Sequence, residues 1–374
     1  MQHLDEHNIL SDNQHGFRKR RSCETQLLTT IQEIASNTAK GKQVDVILLD
    51  FAKAFDKVPH ARLMHTWTTT VLGEKRWVQS FLRNRKQQVV LDAFFNDLPD
   101  VIKSSSSKLF ADDSAVFKVI KNDDDVQLLK EYLAALEQWE EKWQMSFNPT
   151  KCTIIRIAPR CRKIIDTKYS HHCHTLEVVD AIKYLGVTIT ESLTWENKIV
   201  NIPSKANRTL GFLRRNLREC TPPVKEASYM AMVRPSLENA ATGWDPHQQN
   251  NIKAIEQVQR RAAHFVFNDC STKTPGCVSN MIKDLNWESI EQRRKHSRLS
   301  MMYKIRNNLV DINADRYLQS GDARTRGQHR LFQRITDQVL ANSFFPRTVR
   351  EWNLFPASTV SATTIDAFRL LLVT

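Results

Sequence analysis

The sequence of 374 residues lacks the features that mark several common protein classes. It contains no apolar run of about 18 residues, the length that a membrane-spanning helix requires. Residues 1–17 carry acids and no apolar core, so we expect no signal peptide. The seven cysteines are scattered and form no CxxC pair, which argues against a disulfide framework and a structural zinc site. We therefore expect a nuclear or cytoplasmic protein, not a secreted one, with free thiols.

One cluster of metal-binding residue types is nevertheless present, the run HHCH at residues 171–174. Ligands packed this tightly rarely close a tetrahedron unless a second pair comes from elsewhere in the chain. The sequence shows no such second pair, so we expect no zinc site at this run.

The charge is strongly positive, with a net +13 and a pI near 9.4, which favours polyanionic partners. Between Lys205 and Arg306 there are 18 Lys and Arg against 9 Asp and Glu, so the excess is regional. Two segments there have an apolar stripe at helical spacing beside basic residues: Ala206, Leu210, Leu213 and Leu217 with Arg208, Arg214, Arg215 and Arg218, and Ile252, Ile255, Val258, Ala262 and Val266 with Arg260, Arg261 and His264. Each could be an ordinary solvated helix, but their common sign suggests a surface that follows a phosphate backbone.

The first half of the chain alternates strand patterns with one long helical pattern. The β-branched run VDVILLDF (44–51) predicts a buried strand with Asp50 at its C-terminal end, and AKAFDKVPH predicts a short helical turn that ends at Pro59. The acids of NDDD (122–125) can cap a helix whose apolar positions are Val126, Leu129, Leu133, Leu136 and Trp143. SFNPTKCTIIRI (146–157) predicts a strand after an Asn-Pro turn, and AIKYLGVTIT (181–190) predicts another strand.

Two adjacent aspartates, Asp112 and Asp113, lie between the apolar arms KLFA and SAVFKVI. One interpretation is an ordinary hairpin turn. The other is a metal site, because two-metal phosphoryl transfer needs carboxylates that converge from different elements. Asp50 at a strand end could join Asp112 and Asp113 on a neighbouring turn. Three such carboxylates would repel one another without cations, so this interpretation implies Mg²⁺ or Mn²⁺.

Four motifs resemble, in order, the palm motifs of non-LTR retrotransposon (LINE, jockey-like) reverse transcriptases: LLDFAKAFDKVPH, LFADD, WQMSFNPTKC and YLGVTI. QHGFRKRRSCETQL (14–27) is similar to that family's entry from fingers to palm. Three later segments resemble the region behind the polymerase core: KANRTLGFLRRNL, VRPSLENAATGWDPH and QVQRRAAHFVF. The resemblance implies an RNA-directed DNA polymerase that uses an RNA template, a DNA primer, dNTPs and Mg²⁺ or Mn²⁺.

The resemblance also implies an α+β fold, with a right-hand polymerase palm followed by a mainly helical thumb and C-terminal region. We expect a small antiparallel sheet with helices on one face and a β-hairpin near residues 175–190. The expected domains are a fingers and palm remnant (1–165), a primer-grip hairpin with thumb-like basic helices (166–268) and a helical C-terminal region (269–374).

Site roles follow from the resemblance position by position. Asp50 and Asp112, with the backbone of Phe51, would hold the metal, and Asp113 would be the third catalytic carboxylate. Phe51, Phe55 and Lys151 would contact the nucleotide, with Lys151 near the triphosphate, where a cation offsets developing charge. The expected primer and template contacts are Arg18, Ser22, Tyr184, Leu185, Gly186, Arg214, Arg215, Arg260 and Arg261.

The chain departs from the family pattern between the two acidic motifs. The family places a glycine-containing loop of the form SGVPQGSVLGPLLF there, whereas this sequence has no glycine between Gly73 and Gly186. The start of the fingers is also expected before residue 14. We therefore expect a partial copy with weak or no polymerisation, in which FFNDLP (94–99) exposes apolar surface. The alternative is a catalytically dead remnant that still binds nucleic acid. A phosphohydrolase is disfavoured because neither a DxDxT or DxDxV motif nor a GxxxxGK loop occurs.

Overall fold

The computed structural model describes residues 11–16, 18–52, 97–101, 106–111, 113–159, 164–268, 276–320, 331–332 and 338–373. Asp112 and Phe55, the predicted helical turn before Pro59 and most of FFNDLP lie outside these residues. The chain forms two compact units, Met1–Leu193 and Thr194–Thr374. Among the described helices, none is both long enough and apolar enough to cross a bilayer.

The first unit is built on a five-stranded sheet with the order β2-β3-β1-β4-β7. Strand β1 pairs antiparallel with β3 and with β4, while β4 pairs parallel with the short β7, so the sheet is not purely antiparallel as we expected. The strands are β1 (Gln43–Leu49), β2 (Ser106–Phe110), β3 (Asp113–Ile120), β4 (Thr153–Ile157) and β7 (Glu177–Val178). The two-residue strands β5 (Ser170–His171) and β6 (His174–Thr175) form a separate hairpin.

Two helices border this sheet, α1 (Cys23–Ala39) and α2 (Asp123–Trp143). As predicted, α2 begins at the NDDD segment, but its N-cap is Asn122 and not one of the acids: the Asn122 side chain accepts a hydrogen bond from the Asp125 amide. Its apolar stripe packs on the sheet face that carries Ile47 and Leu49.

The expectation of helices on one face is wrong, because α1 contacts β1 and the residues of β1 that alternate with Ile47 and Leu49 are buried as well. Val44 and Val46 are 1% and 2% exposed. The unbroken apolar run of β1 is the physical reason, since a strand buried on both faces needs no polar alternation.

Two other expectations need correction. The pattern of residues 181–190 suggested one strand, but these residues form β8 (Ala181–Tyr184) and β9 (Val187–Thr190), because Leu185 and Gly186 adopt positive φ angles of 46° and 78° and turn the chain. The β-hairpin that the resemblance implied near residues 175–190 is thereby confirmed. The described end of FFNDLP is buried and not exposed: Leu98 is 1% exposed and packs in the core with α2.

The second unit is mainly helical, as the resemblance implied. Its longer helices are α3 (Glu196–Asn216), α4 (Pro222–Met232), α7 (Gln249–Phe267), α8 (Cys277–Asp284), α9 (Ile290–Arg306), α11 (Phe344–Trp352) and α13 (Ile365–Val373). Short helices are α5 (Arg234–Glu238), α6 (Ala241–Trp244), α10 (Gln338–Ala341) and α12 (Ala357–Val360), and β10 (Gln319–Ser320) pairs with β11 (Leu331–Phe332). The predicted apolar stripes of α3 and α7 are buried, apart from the half-buried Leu217.

Candidate active site

Two of the predicted catalytic aspartates lie at adjacent strand ends in the first unit. Asp50 directly follows β1, and Asp113 is the first residue of β3. The antiparallel register pairs Leu49 with Ser114, so continuing it by one residue sets Asp50 opposite Asp113. Residues opposite each other in an antiparallel pair point to the same face. Asp113 was expected on the hairpin turn, but its pairing with Phe110 makes it part of the strand.

Both aspartates line one pocket of about 620 Å³ at this edge of the sheet. Strand ends of β1 and β3, the start of β4 and the β8–β9 hairpin enclose it. Lys151 and Tyr184, two other predicted site residues, line the same pocket. The fold therefore gathers four of the predicted residues, Asp50, Asp113, Lys151 and Tyr184, although they lie far apart in the sequence.

The Asn-Pro turn before β4 sets Lys151 against Asp50. The Asn148 side chain accepts hydrogen bonds from the amide and the hydroxyl of Thr150, at 3.2 and 2.8 Å, which closes an Asx-type turn. The Asn148 amide in turn donates to the Asp50 carbonyl at 2.7 Å. Lys151 Nζ lies 2.8 Å from Asp50 Oδ2. The hydrogen bond and the charge of Asp50 raise the pKa of Lys151.

The donor set of this pocket fits a hard divalent cation. Carboxylate oxygens are the ligands that Mg²⁺ and Mn²⁺ prefer, and Lys151 Nζ occupies the position of a counter-cation on Asp50. Burial raises the pKa of the Cys23 thiol, and the negative charge of Asp113 raises it further. Burial likewise raises the pKa of Tyr184, again with a contribution from Asp113. The Asp113 end of the pocket thus has a negative potential that favours cations.

The turn of the β2–β3 hairpin is held by residues that sequence reasoning did not single out. Gln14 is fully buried, and its Oε1 accepts hydrogen bonds from the amides of Gly16 and Ala111 at 2.9 and 3.2 Å. A Cβ at Gly16 would lie 2.6 Å from the Ala111 amide nitrogen, so only glycine fits there. Ala111 immediately precedes Asp112. The sequence feature that could have indicated this contact is the QHG triplet at the start of the segment 14–27.

The β8–β9 hairpin carries Tyr184, Leu185 and Gly186. Leu185 and Gly186 form the turn, while the Tyr184 ring is 3% exposed and its hydroxyl accepts a hydrogen bond from Gln26 of α1. Tyr184 is therefore anchored to α1 beside the pocket, and Gln26 is a second residue that the sequence did not reveal. Contact of these residues with a primer stays a prediction.

The remaining predicted residues of the first unit have local structural contacts. Phe51 is 5% exposed, and its ring stacks on Phe147 with ring centroids 4.1 Å apart. Because the ring is buried in the core, only the backbone of Phe51 remains for a contact with metal or nucleotide. Ser22 caps α1 by accepting a hydrogen bond from the Thr25 amide. Arg18 donates to the Ser11 carbonyl at 2.9 Å. Template or nucleotide contacts of these residues stay predictions.

The predicted basic residues of the second unit lie on α3 and α7. Arg214, Arg215 and Arg261 are exposed, and Arg260 is half-buried. Arg214 Nη2 reaches the Arg261 carbonyl at 3.5 Å, so the two helices present these arginines close together. A role in nucleic-acid binding stays a prediction.

Comparison with known proteins gives matches to enzymes of mobile elements. A family model described as "Reverse transcriptase (RNA-dependent DNA polymerase)" matches residues 1–100, a segment that includes Asp50 and ends before Asp113. The chain is 22% identical over 328 residues to the "Probable RNA-directed DNA polymerase from transposon BS" of Drosophila melanogaster. It is 27% identical over 233 residues to the "RNA-directed DNA polymerase from mobile element jockey" of the same organism.

These matches cover much of this chain but a minor part of the relatives. The first covers 78% of the chain and 36% of the relative, and the second covers 50% and 24%. A third relative, the "Probable RNA-directed DNA polymerase from transposon X-element" of Drosophila melanogaster, is 19% identical over 70% of the chain and 32% of its own length. The chain thus spans about a quarter to a third of the curated relatives it matches.

Proposed function

We propose that this chain is a reverse transcriptase of the non-LTR retrotransposon type, that its first unit is the palm of an RNA-directed DNA polymerase, and that its second unit is the thumb-like and C-terminal helical region. The observation that supports this most directly is the pocket that Asp50, Asp113 and Lys151 line together. Its substrates would be an RNA template, a DNA primer and dNTPs.

The roles of the chain's own residues follow from the geometry of this pocket. Asp50 and Asp113, together with Asp112, the residue before Asp113, would hold Mg²⁺ or Mn²⁺. Such ions, when bound, lower the pKa of the primer 3′-hydroxyl and stabilise charge on the leaving oxygen. The Lys151 side chain is flexible and 63% exposed, and its Nζ is the atom that pairs with Asp50. The ammonium can therefore turn toward the triphosphate and offset negative charge there. The backbone of Phe51 borders the nucleotide side.

We also propose that polymerisation by this chain is weak. The sequence between Asp50 and Asp112 lacks the glycine-containing loop with which the family clamps template and nucleotide. A misplacement of reacting groups by about 1 Å can lower a rate about a hundredfold. The carboxylates of the pocket would therefore be retained, while template and nucleotide would be positioned less accurately relative to them.

Primer extension by the purified chain tests the proposed function. We expect slow incorporation of dTTP into oligo(dT) on a poly(rA) template, which stops when the divalent ion is chelated and depends on Asp50. Fast incorporation would contradict the proposed weakness. Nucleic-acid binding without any metal-dependent incorporation would contradict the polymerase proposal and favour the second candidate function.

That second candidate is a catalytically dead nucleic-acid-binding protein, and the exposed arginines of α3 and α7 favour it. Changing Arg214, Arg215 and Arg261 together to glutamine is expected to weaken RNA binding at low salt. On single strands each phosphate contact contributes about −0.7 to the slope of log K against log salt. Loss of three contacts should therefore make this negative slope shallower by about 2. Fluorescence anisotropy across a salt series measures this slope.

The matched control changes the same three arginines to lysine, which keeps the charge. This variant should retain most of the slope because counterion release depends on charge more than on side-chain shape. An unchanged slope in the glutamine variant would show that other basic residues contact the nucleic acid.

A further inference from the structure

A cluster of metal-ligating side chains lies in the first unit, outside the active-site pocket. Glu140 comes from α2, and His171 and His172 come from the β5–β6 hairpin. Glu140 Oε2 lies 3.0 Å from His171 Nε2 and 2.6 Å from His172 Nε2. One potential ligand atom from each residue falls within 4.8 Å of the others. Zinc ligands about 2.0–2.1 Å from the ion in a tetrahedron are about 3.3 Å apart, so small side-chain shifts would accommodate the ion.

The His171 ring supplies an independent reason to place a ligand here. It is fully buried, and neither of its nitrogens has hydrogen-bond geometry to a partner. A buried polar group without a hydrogen bond is destabilising, and a bound ion would offset that cost. The neighbouring Glu140 is only 3% exposed. Imidazole with a carboxylate is a donor set that suits Zn²⁺.

The surroundings also resemble the outer shell of a metal site. The other ring nitrogen of His171, Nδ1, lies 3.6 Å from Glu137 Oε1, so a small side-chain shift on ion binding would make a hydrogen bond that fixes the tautomer presenting Nε2 to the ion. Glu137 lies one helical turn before Glu140, and its Oε1 accepts the His172 amide at 2.5 Å. Glu140 uses its second oxygen to accept the Phe147 amide, which orients the carboxylate.

We propose that Glu140, His171 and His172 form a zinc site that fastens the β5–β6 hairpin to α2. His172 and Cys173 form the turn of this hairpin with φ angles of 45° and 61°, so His172 folds back toward Glu140 while Cys173 and His174 remain exposed. The site therefore uses only half of the HHCH run. The sequence argued against zinc because no second pair of ligands is present; the structure adds one ligand, Glu140, from a different element 31 residues before His171.

The zinc site also adjoins the loop that carries the active-site lysine. The Phe147 amide binds Glu140, and the next amide, that of Asn148, binds the Asp50 carbonyl. Zinc would thus stiffen the segment from Phe147 to Lys151. The site does not depend on polymerase activity, because its ligands lie outside the pocket that Asp50 and Asp113 line.

Zinc titration of the metal-free full chain by calorimetry tests the proposal. We expect one tight site and a rise in melting temperature on zinc addition. His172→Ala should weaken zinc binding by more than about a hundredfold, since loss of an outer-shell partner alone costs about 10–100-fold. His172 is suitable because its side chain is 40% exposed and its loss should leave the fold intact. Glu140→Gln, which keeps an acceptor for the Phe147 amide, should weaken binding similarly.

The matched controls are Cys173→Ser and His174→Ala in the same HHCH run. Both should bind zinc as the original chain does, and the cobalt-loaded chain should show no thiolate charge-transfer band. The proposal would be overturned if either control lost the tight site, if His172→Ala kept it, or if the original chain bound zinc only weakly at surface histidines.

Discussion

Replacing Asp245 with alanine is expected to destabilise the second unit by about 3–5 kcal/mol, the cost of leaving buried charges without their partner. The Asp245 carboxylate binds three guanidinium groups at 2.9–3.0 Å: those of Arg294, Arg298 and Arg347. Arg294 and Arg298 are each 2% exposed, and Asp245 is itself buried. No substitution of one surface ion pair approaches this effect, since such pairs contribute about 0–1 kcal/mol.

The pKa shifts indicate how much these arginines depend on Asp245. Burial lowers the pKa of Arg294 to about 10, and Asp245 opposes that shift. Burial also lowers the pKa of Arg347, which Asp245 again opposes. Without Asp245, Arg298 would retain Glu351 at 3.0 Å, and Arg294 would retain its stacking on Trp244, with the guanidinium carbon 4.0 Å from the ring centre. Neither contact removes the repulsion between the three cations, two of which are buried.

Urea-dependent hydrogen exchange of the α9 amides in the full chain measures this effect on the second unit directly. The control is Asp366→Ala, which removes an acid that is 82% exposed and lies 3.3 Å from Arg369 on the same helix. We expect a change of less than about 0.5 kcal/mol for the control, as is usual for exposed helical pairs. Equal losses in the two variants would show that the Asp245 cluster contributes no more than a surface pair.

Replacing Asp50 with asparagine is expected to lower metal-dependent primer extension by about a hundredfold to a thousandfold, the usual loss when a group that stabilises the transition state is removed. An amide has nearly the shape of the carboxylate but no charge for a divalent cation. The Asp50 side chain is 43% exposed, so the substitution should leave the fold intact. RNA binding, which we propose to depend on the arginines of the second unit, should change little.

A second measurement on the same variant reports on local structure. The pKa of Lys151 should fall toward its ordinary value, because the hydrogen bond and charge of Asp50 are what raise it. The matched control for activity is Asp100→Asn, an exposed acid of the same unit that is not among the pocket-lining residues. If Asp50→Asn and Asp100→Asn incorporated nucleotide at the same rate, Asp50 would have no part in catalysis.

The sequence predicted the elements that carry the pocket, because each is specified locally. The structure confirms three short-range patterns: the apolar run of β1, the apolar arms around Asp112 and Asp113, and the start of α2 at the NDDD segment. The residue pattern alone did not show the turn at Leu185 and Gly186, because apolar residues flank it on both sides, whereas the family resemblance implied a hairpin there.

What the sequence could not predict are contacts between distant residues. Gln14 reaches the Ala111 amide, Gln26 reaches Tyr184, and Glu140 reaches His171, and no periodicity marks any of these pairs. For the same reason, the count of basic residues between Lys205 and Arg306 overestimates the charge of the exposed surface. Arg294 and Arg298 contribute to the basic excess between Lys205 and Arg306, yet both are buried around Asp245 and add nothing to an exposed basic surface.

The central claim is that Asp50 and Asp113 hold a divalent ion between the ends of β1 and β3. Hydroxyl-radical cleavage of the chain with Fe²⁺ in place of Mg²⁺ tests it most directly, because the radicals cut the backbone close to the bound ion. The account predicts cuts at both strand ends, near residues 50 and 113, which excess Mg²⁺ and the Asp50→Asn substitution both suppress. Cuts at only one of the two strand ends, or cuts that persist in Asp50→Asn, would contradict it.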